Sequence, residues 1–136
     1  MISKGIPWPL GAFENQRSFC SIDNLLFIFK ELIEREDIAS GVYNVADDLP
    51  LSTSEVISIL AESQGRKAHI WSISKGLIQL AAKTGNLLKL PLNEERLHKL
   101  TNSYVVSNKK ILSALGKPLP MSSKDGLMKT FRSFLN

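Results

Sequence analysis

Apolar residues fall into helical rhythm from Ile22 onward: Ile22, Leu25, Leu26, Phe29, Leu32 and Ile33 follow the three-four-seven spacing of one helix face. The pattern predicts a helix from Ile22 to about Glu36, with that whole stripe turned into the core. Ser21 is its N-cap, and Asp23 lies in the first turn, where the helix dipole favours an acid. Gly41-Val-Tyr-Asn-Val-Ala46 predicts a strand, ended by Asp47-Asp48-Leu49-Pro50. Ser52-Thr-Ser-Glu55 has the form of a capping box, opening a helix that turns Val56, Ile59 and Leu60 inward and stops at Gly65. Further on, the chain predicts a short strand over His69–Ile73, a helix from Leu77 to Lys83 stopped by Gly85, and a helix capped by Asn93 that runs to Leu100. An extended Tyr104–Val106, a helix from Asn108 to Leu115 ended by Gly116, and a last helix from Gly126 to Leu135 complete the reading. Residues 1–16 hold two prolines, two glycines and no clean period, and read as a loop that packs Trp8 and Phe13; Arg17–Cys20 reads as a short extended piece.

These elements predict an α/β chain, helix-rich, with a few short strands. A standalone α/β domain carries longer strands and more of them, so the sheet looks incomplete and something is expected to precede Met1. The length of 136 residues fits a single domain spanning 1–136. The longest apolar run, Leu25 to Phe29, is too short to span a membrane, and nothing near Met1 has the form of a signal peptide, so the expectation is a cytoplasmic protein with no membrane partner. The net charge of +4 hides an asymmetry: residues 1–65 hold four Lys/Arg against ten Asp/Glu, and residues 66–136 hold thirteen against three. Such a split suits a nucleic-acid face, a phosphorylated ligand, or two halves that attract each other.

The chemistry-bearing residues are sparse. Eight glycines nowhere form GxGxxG, GxxGxxG or a P-loop, so no dinucleotide cradle is expected in this chain. His69 and His98 stand in different elements without a carboxylate or cysteine at ligand spacing, and no metal site is expected. Cys20 beside Phe19 reads as a small buried thiol, and Asp47-Asp48, after a strand and before a proline, as turn formers. Neither tyrosine has a lysine four residues on, so a tyrosine–lysine proton-transfer pair is missing and no residue is assigned a catalytic role. A faint helix-turn-helix look over Ser54–Ser63 and the Leu77 helix, with the basic second half, keeps a non-enzymatic binding module for nucleic acid as the alternative. The mostly apolar Leu77–Ala82, read as core, makes a poor recognition helix and leaves nucleic acid the less favoured partner.

Several stretches together resemble the C-terminal portion of NAD-dependent nucleotide-sugar epimerases and dehydratases, the extended short-chain dehydrogenase/reductase family. Pro9-Leu-Gly11 followed by Arg17-Ser-Phe-Cys-Ser-Ile-Asp-Asn-Leu25 is similar to the family's Arg-(Asp/Ser)-aromatic-aliphatic-x-Val-x-Asn/Asp-Leu segment. Gly41-Val-Tyr-Asn-Val45 is similar to its Gly-x-x-Tyr-Asn-Val strand, and Ser52-Thr-Ser-Glu55 with Gly65-Arg66 to its Ser-x-x-Glu helix and Gly-Lys/Arg end. Ser107-Asn-Lys-Lys-Ile-Leu112 through Leu115-Gly116 resembles Asp-x-Ser-Lys…Leu-Gly-Trp, and Gly126-Leu127 with Thr130 the closing Gly-Leu-x-x-Thr. Ser107 stands where the family has Asp, Lys117 where it has Trp, and Ser74-Lys-Gly76 where many members have Arg-x-Gly-Asp.

The resemblance implies a C-terminal, substrate-binding fragment without the N-terminal Rossmann half, from a parent most like a UDP-sugar 4-epimerase. It implies that Arg17 grips the diphosphate of a nucleotide-sugar substrate, with Trp8 and Leu10 where such enzymes wrap the base. NAD(P) would belong to the parent and no cofactor to the fragment, whose expected partners are the substrate, the missing Rossmann domain and a second copy through exposed apolar surface. The fragment alone is expected to be inactive.

Overall fold

The computed structural model describes residues 7–87 and 94–135. Among them run six helices: α1 (Ile22–Glu34), α2 (Thr53–Ser63), α3 (Lys75–Leu87), α4 (Glu94–Thr101), α5 (Lys109–Leu115) and α6 (Ser123–Ser133). The β structure among these residues is confined to isolated bridges, so the chain is a helix-rich α/β-type fragment. It divides into two compact units, one of Met1–Gln16 with Ser52–Ser103 and the other of Arg17–Leu51 with Tyr104–Asn136.

The first unit packs around Leu10, Ile78, Ala82 and Leu97, with Trp8, Phe13, Ile73 and Leu100 against them. The capping box forms as the sequence predicts: Glu55 N–H donates to Ser52 Oγ at 3.1 Å, and Ser52 N–H donates to Glu55 Oε2 at 2.7 Å. Helix α2 ends at Ser63, just before Gly65 at φ +68°. The strand expected over His69–Ile73 is reduced to two bridges, Trp8 to Ile70 and Leu10 to Ser72. Gly11 makes that approach feasible, because a β-carbon there would stand 2.7 Å from Ile70 Cγ2.

Helix α3 begins two residues before Leu77 and runs through Gly85 instead of stopping there, since an interior glycine weakens a helix by only about 1 kcal/mol. Its Ile78 and Ala82 are buried while Leu77 and Leu80 are exposed, so only one side of this apolar helix is core. The Asn93 cap lies outside the described residues.

The second unit packs around Ile28, Ile111 and Leu115, flanked by Phe27, Leu32, Ile38, Tyr43, Val45 and Leu119. Helix α1 starts where predicted, with Asn24 N–H donating to Ser21 Oγ, but its buried face is not the predicted one. Asn24, Ile28 and Glu31 point inward, whereas Ile22, Leu26, Phe29 and Ile33 are 72%, 62%, 51% and 83% exposed. Two polar residues can hold the inner face because both find partners. Asn24 Nδ2 donates to Asp47 Oδ1 at 2.6 Å and to the Met121 carbonyl at 2.8 Å, and Glu31 accepts from Lys117 Nζ at 2.9 Å.

Gly41–Ala46 joins no ladder among the described residues, which corrects the strand expected there; its carbonyls at Val42 and Ala46 accept instead from the side chains of Lys110 and Asn108. Helix α5 ends as expected at Gly116, the C-cap at φ +66°. Helix α6 begins at Ser123, three residues ahead of Gly126, because Asp125 N–H donates to Ser122 Oγ and caps it there. Gly126 then faces Ser21, where a β-carbon would come within 2.6 Å of Ser21 Cβ. Cys20, expected to be buried, is exposed.

Candidate functional site

Arg17 is fixed by its backbone from two sides within the second unit. Its N–H donates to the Leu51 carbonyl at 2.9 Å and its carbonyl accepts from Leu51 N–H at 2.8 Å, while a parallel bridge joins it to Tyr104. Ser18 extends that pairing: its N–H donates to the Tyr104 carbonyl at 2.9 Å, and its Oγ accepts from Val106 N–H at 3.0 Å. The Arg17 guanidinium lies 5.5 Å from the centroid of the Tyr104 ring, a distance at which a cation is attracted by the ring face. The side chain is partly buried. A planar guanidinium on a backbone clamped in this way, its Nε buried, has the fork geometry that matches a phosphate.

Trp8 and Leu10 belong to the first unit, and the structure gives them different situations. Trp8 is half-buried, its backbone tied to residues 69 and 71 by two hydrogen bonds of 2.7 Å, and its indole Nε1 is buried with no hydrogen-bond partner among the described residues. Leu10 is 4% exposed and part of the core, so its side chain is engaged in packing.

Close by in the same unit, Gly11, Phe13, Glu14, Asn15, Gln16, Ser52, Ser54 and Ser103 line an open cleft of about 490 Å³ with mixed polar and apolar walls, a size suited to a small ligand. Asn15 anchors one wall: fully buried, it donates to Thr53 Oγ1 at 2.8 Å and accepts from Thr53 N–H at 3.2 Å. The sequence reading assigned none of these cleft residues to binding. Their one signal was the serine cluster at the start of α2, which caps explain equally well. A second, smaller hollow of about 210 Å³ between α3 and α4 is lined by Phe13, Gln79, Lys83, Leu97, His98 and Thr101.

The acids serve the fold. Asp47 is buried and accepts from Ser21 N–H at 2.9 Å, from Ser21 Oγ and from Asn24 Nδ2. Asp48 accepts from Ser123 N–H at 2.7 Å and Ser123 Oγ at 2.9 Å. Burial works to raise the Asp48 pKa, but these bonds from Ser123 and one from Leu49 outweigh it and leave the carboxyl below its ordinary value. Partial burial of the Cys20 sulfur, then the Asp47 charge, raise that thiol's pKa, so the thiolate is scarce at neutral pH.

No group of three potential metal ligands forms among the described residues. Among the described residues, the helix N-termini that a dinucleotide phosphate would use are engaged at three places. The N-termini of α1, α2 and α6 are closed by their own Ser21, Ser52 and Ser122 side chains, and no glycine-rich loop opens any of them. No helix among the described residues is long and apolar enough to cross a membrane.

Comparison with known proteins gives one informative relationship. The chain is 26% identical over 136 residues to a UDP-glucose 4-epimerase of Vibrio cholerae, an alignment covering 99% of this chain and 40% of the relative. The chain therefore spans well under half the length of that enzyme, and the likeness is distant. No family model matches, and no solved structure matches.

Proposed function

We propose that this chain is the substrate-side portion of a nucleotide-sugar epimerase or dehydratase, and that Arg17 holds the substrate's diphosphate. The observation that carries the reading is the backbone clamp on Arg17: a lone cation in a stretch without another Lys or Arg from residue 5 to residue 29 is held between Leu51 and Tyr104. The distant likeness to a UDP-glucose 4-epimerase along nearly the whole chain supports it. In this reading Trp8, half-buried in the first unit, borders the base. Leu10, whose side chain is in the core, acts only by placing the backbone of its segment. In this reading the redox chemistry falls to NAD(P) held by another part of the enzyme, in keeping with a sequence that carries no GxGxxG or P-loop motif. Residues 1–136 act in it as one substrate-binding domain, and the protein works in the cytoplasm.

Titration with UDP and UDP-glucose tests the reading. Binding by the chain that weakens about tenfold or more in Arg17→Ala, the scale of one lost charge-assisted phosphate contact, supports it. Equal affinity in the variant and the parent chain overturns the assignment of Arg17. Affinity for DNA that falls steeply with salt, without uridine-nucleotide binding, would favour a nucleic-acid module instead.

A further inference from the structure

The cleft of the first unit is built around a segment whose side chains alternate. Residues 13–16 are neither helical nor turned; Asn15 is 1% exposed, while Glu14 and Gln16 on either side of it are exposed and line the cleft. This is the period of extended backbone, which sends one side chain into the wall and sets its two neighbours roughly 7 Å apart on the other side. The inward residue fixes the wall. Asn15 Nδ2 donates to Thr53 Oγ1 at 2.8 Å and to the Leu100 carbonyl at 3.3 Å, and its Oδ1 accepts from Thr53 N–H at 3.2 Å. Gln16 N–H donates to Ser103 Oγ at 3.0 Å, and Gly11 N–H to the Trp71 carbonyl at 3.0 Å. Bonds between segments far apart in sequence thus hold the rim in shape, which lowers the ordering cost of binding.

The groups left over define what the cleft can hold. The Glu14 carboxylate, the Gln16 side-chain amide and the Ser54 hydroxyl make no hydrogen bond or ion pair among the described residues. The Ser103 hydroxyl accepts from Gln16 and keeps its own proton to donate. Phe13 adds part of an aromatic ring. No Lys, Arg or His lines the cleft; Lys75 stands 5.9 Å from the Phe13 ring centre but is not part of the lining. Glu14 therefore gives the cleft one negative charge, which disfavours phosphates and carboxylates. Hydroxyls, an amide and a carboxylate beside an aromatic ring match the mixed O–H and C–H surface of an uncharged sugar.

We infer that this cleft is a saccharide site for one unphosphorylated pyranose. Glu14 accepts from a pair of its hydroxyls, Gln16, Ser54 and Ser103 complete the polar set, and Phe13 meets the C–H face of the ring. The site is separate from the phosphate contact of Arg17 and does not rest on it, because an uncharged sugar needs no cation.

A free saccharide and the sugar of a nucleotide sugar present the same ring, and the test separates them. The full chain, labelled with nitrogen-15, is titrated with methyl galactoside, methyl glucoside, glucose 6-phosphate, UDP and UDP-galactose. The amides of Glu14, Gln16, Ser54 and Ser103 should shift and saturate with at least one methyl glycoside, with a dissociation constant on the order of a millimolar. Glucose 6-phosphate should bind about fivefold more weakly or worse, and UDP should leave these amides in place. Glu14→Gln keeps the size of the side chain and removes its charge. It should weaken glycoside binding about tenfold, the scale of one charge-assisted hydrogen bond, and close the gap to glucose 6-phosphate. Ser54→Ala should weaken binding a few-fold, and both variants should keep the parent's circular dichroism and melting temperature.

No saturable shift with either glycoside at about 100 mM, shifts with UDP, or shifts with UDP-galactose alone would each overturn the inference. So would equal or tighter binding of glucose 6-phosphate, or an unchanged affinity in Glu14→Gln. The glycosides carry no phosphate, so this site and the Arg17 contact fail separately. Loss of UDP binding in Arg17→Ala would leave the saccharide site standing, and a silent cleft would leave the Arg17 assignment standing.

Discussion

Two neighbouring residues on α1 give the sharpest test of how the second unit is built. Ile28 is fully buried against Ile111 and Leu115, while Phe29, one position on, is about half exposed. Ile28→Ala removes three carbons from the buried cluster it forms with Ile111 and Leu115. At roughly 0.8 kcal/mol per buried methylene this is about 2.4 kcal/mol of transfer free energy, and the cavity term brings it to about 3–4 kcal/mol. Phe29→Ala gives up part of one ring face and gains some helix propensity, for a net of about 1 kcal/mol or less. Against a total stability of roughly 5–15 kcal/mol, the first change should move the urea midpoint of the second unit markedly and the second barely. The urea transition is best followed by circular dichroism together with amide exchange in α1 and α5, which isolates this unit. Equal losses for the two variants, or a larger loss for Phe29→Ala, would refute the orientation of α1 and restore the stripe expected from periodicity alone.

The remaining predictions concern close contacts and charge. Gly126→Ala must push a methyl group into Ser21, the cap of α1, and should cost about 1–3 kcal/mol in thermal or urea unfolding; a neutral result would mean that α6 does not approach Ser21 as described. Gly11→Ala meets Ile70 and the Trp71 carbonyl, and should destabilise the first unit by a similar amount without moving exchange in α1. Acid should weaken the second unit through Asp48 and Glu31. Hydrogen bonds from Ser123 hold the first down against burial, and the Lys117 bond leads for the second. Because a carboxyl depressed in the folded state contributes stability above its unfolded value near 4, that contribution should be intact at neutral pH and disappear as the pH falls below about 4. Ser123→Ala removes the Oγ bond but keeps the N–H one and should flatten the acid limb only in part, whereas Asp48→Asn should remove this carboxyl's share of it; an unchanged limb in Asp48→Asn would take Asp48 out of the account.

Much of the local structure was legible because it is written in single residues with short-range chemistry. Ser21 and Ser52 cap the helices expected of them, Gly116 takes the left-handed turn that ends α5, and Gly65 follows the end of α2. The start of α6 was missed by three residues for the same kind of reason, since Ser122 and Asp125 make a cap that the reading passed over in favour of Gly126. Arg17 stood out as an isolated cation before the first helix, yet its clamp between Leu51 and Tyr104 joins residues 34 and 87 positions away and leaves no local pattern. The cleft beside α2 was illegible because its serines have a sufficient explanation as caps.

The face of α1 failed for a deeper reason. Helical periodicity counts apolar residues, and α1 has enough of them to paint two faces, so the count favoured the stripe at 22, 25, 26, 29, 32 and 33. Of that stripe Leu32 does pack against the core, while 22, 26, 29 and 33 stay exposed. What decides the orientation is which polar residues can be buried with partners, and those partners are distant: Asp47 and Met121 for Asn24, Lys117 for Glu31. Lys117 illustrates the point. Its place is the one where the resembling family carries a tryptophan, and here it reaches across to Glu31 at 2.8 Å and stands over the Phe27 ring at 5.8 Å. The cation and the carboxylate on the inner face of α1 explain each other, because an unpaired buried carboxylate would favour turning the helix the other way. The outer stripe then stays apolar without a role inside this unit.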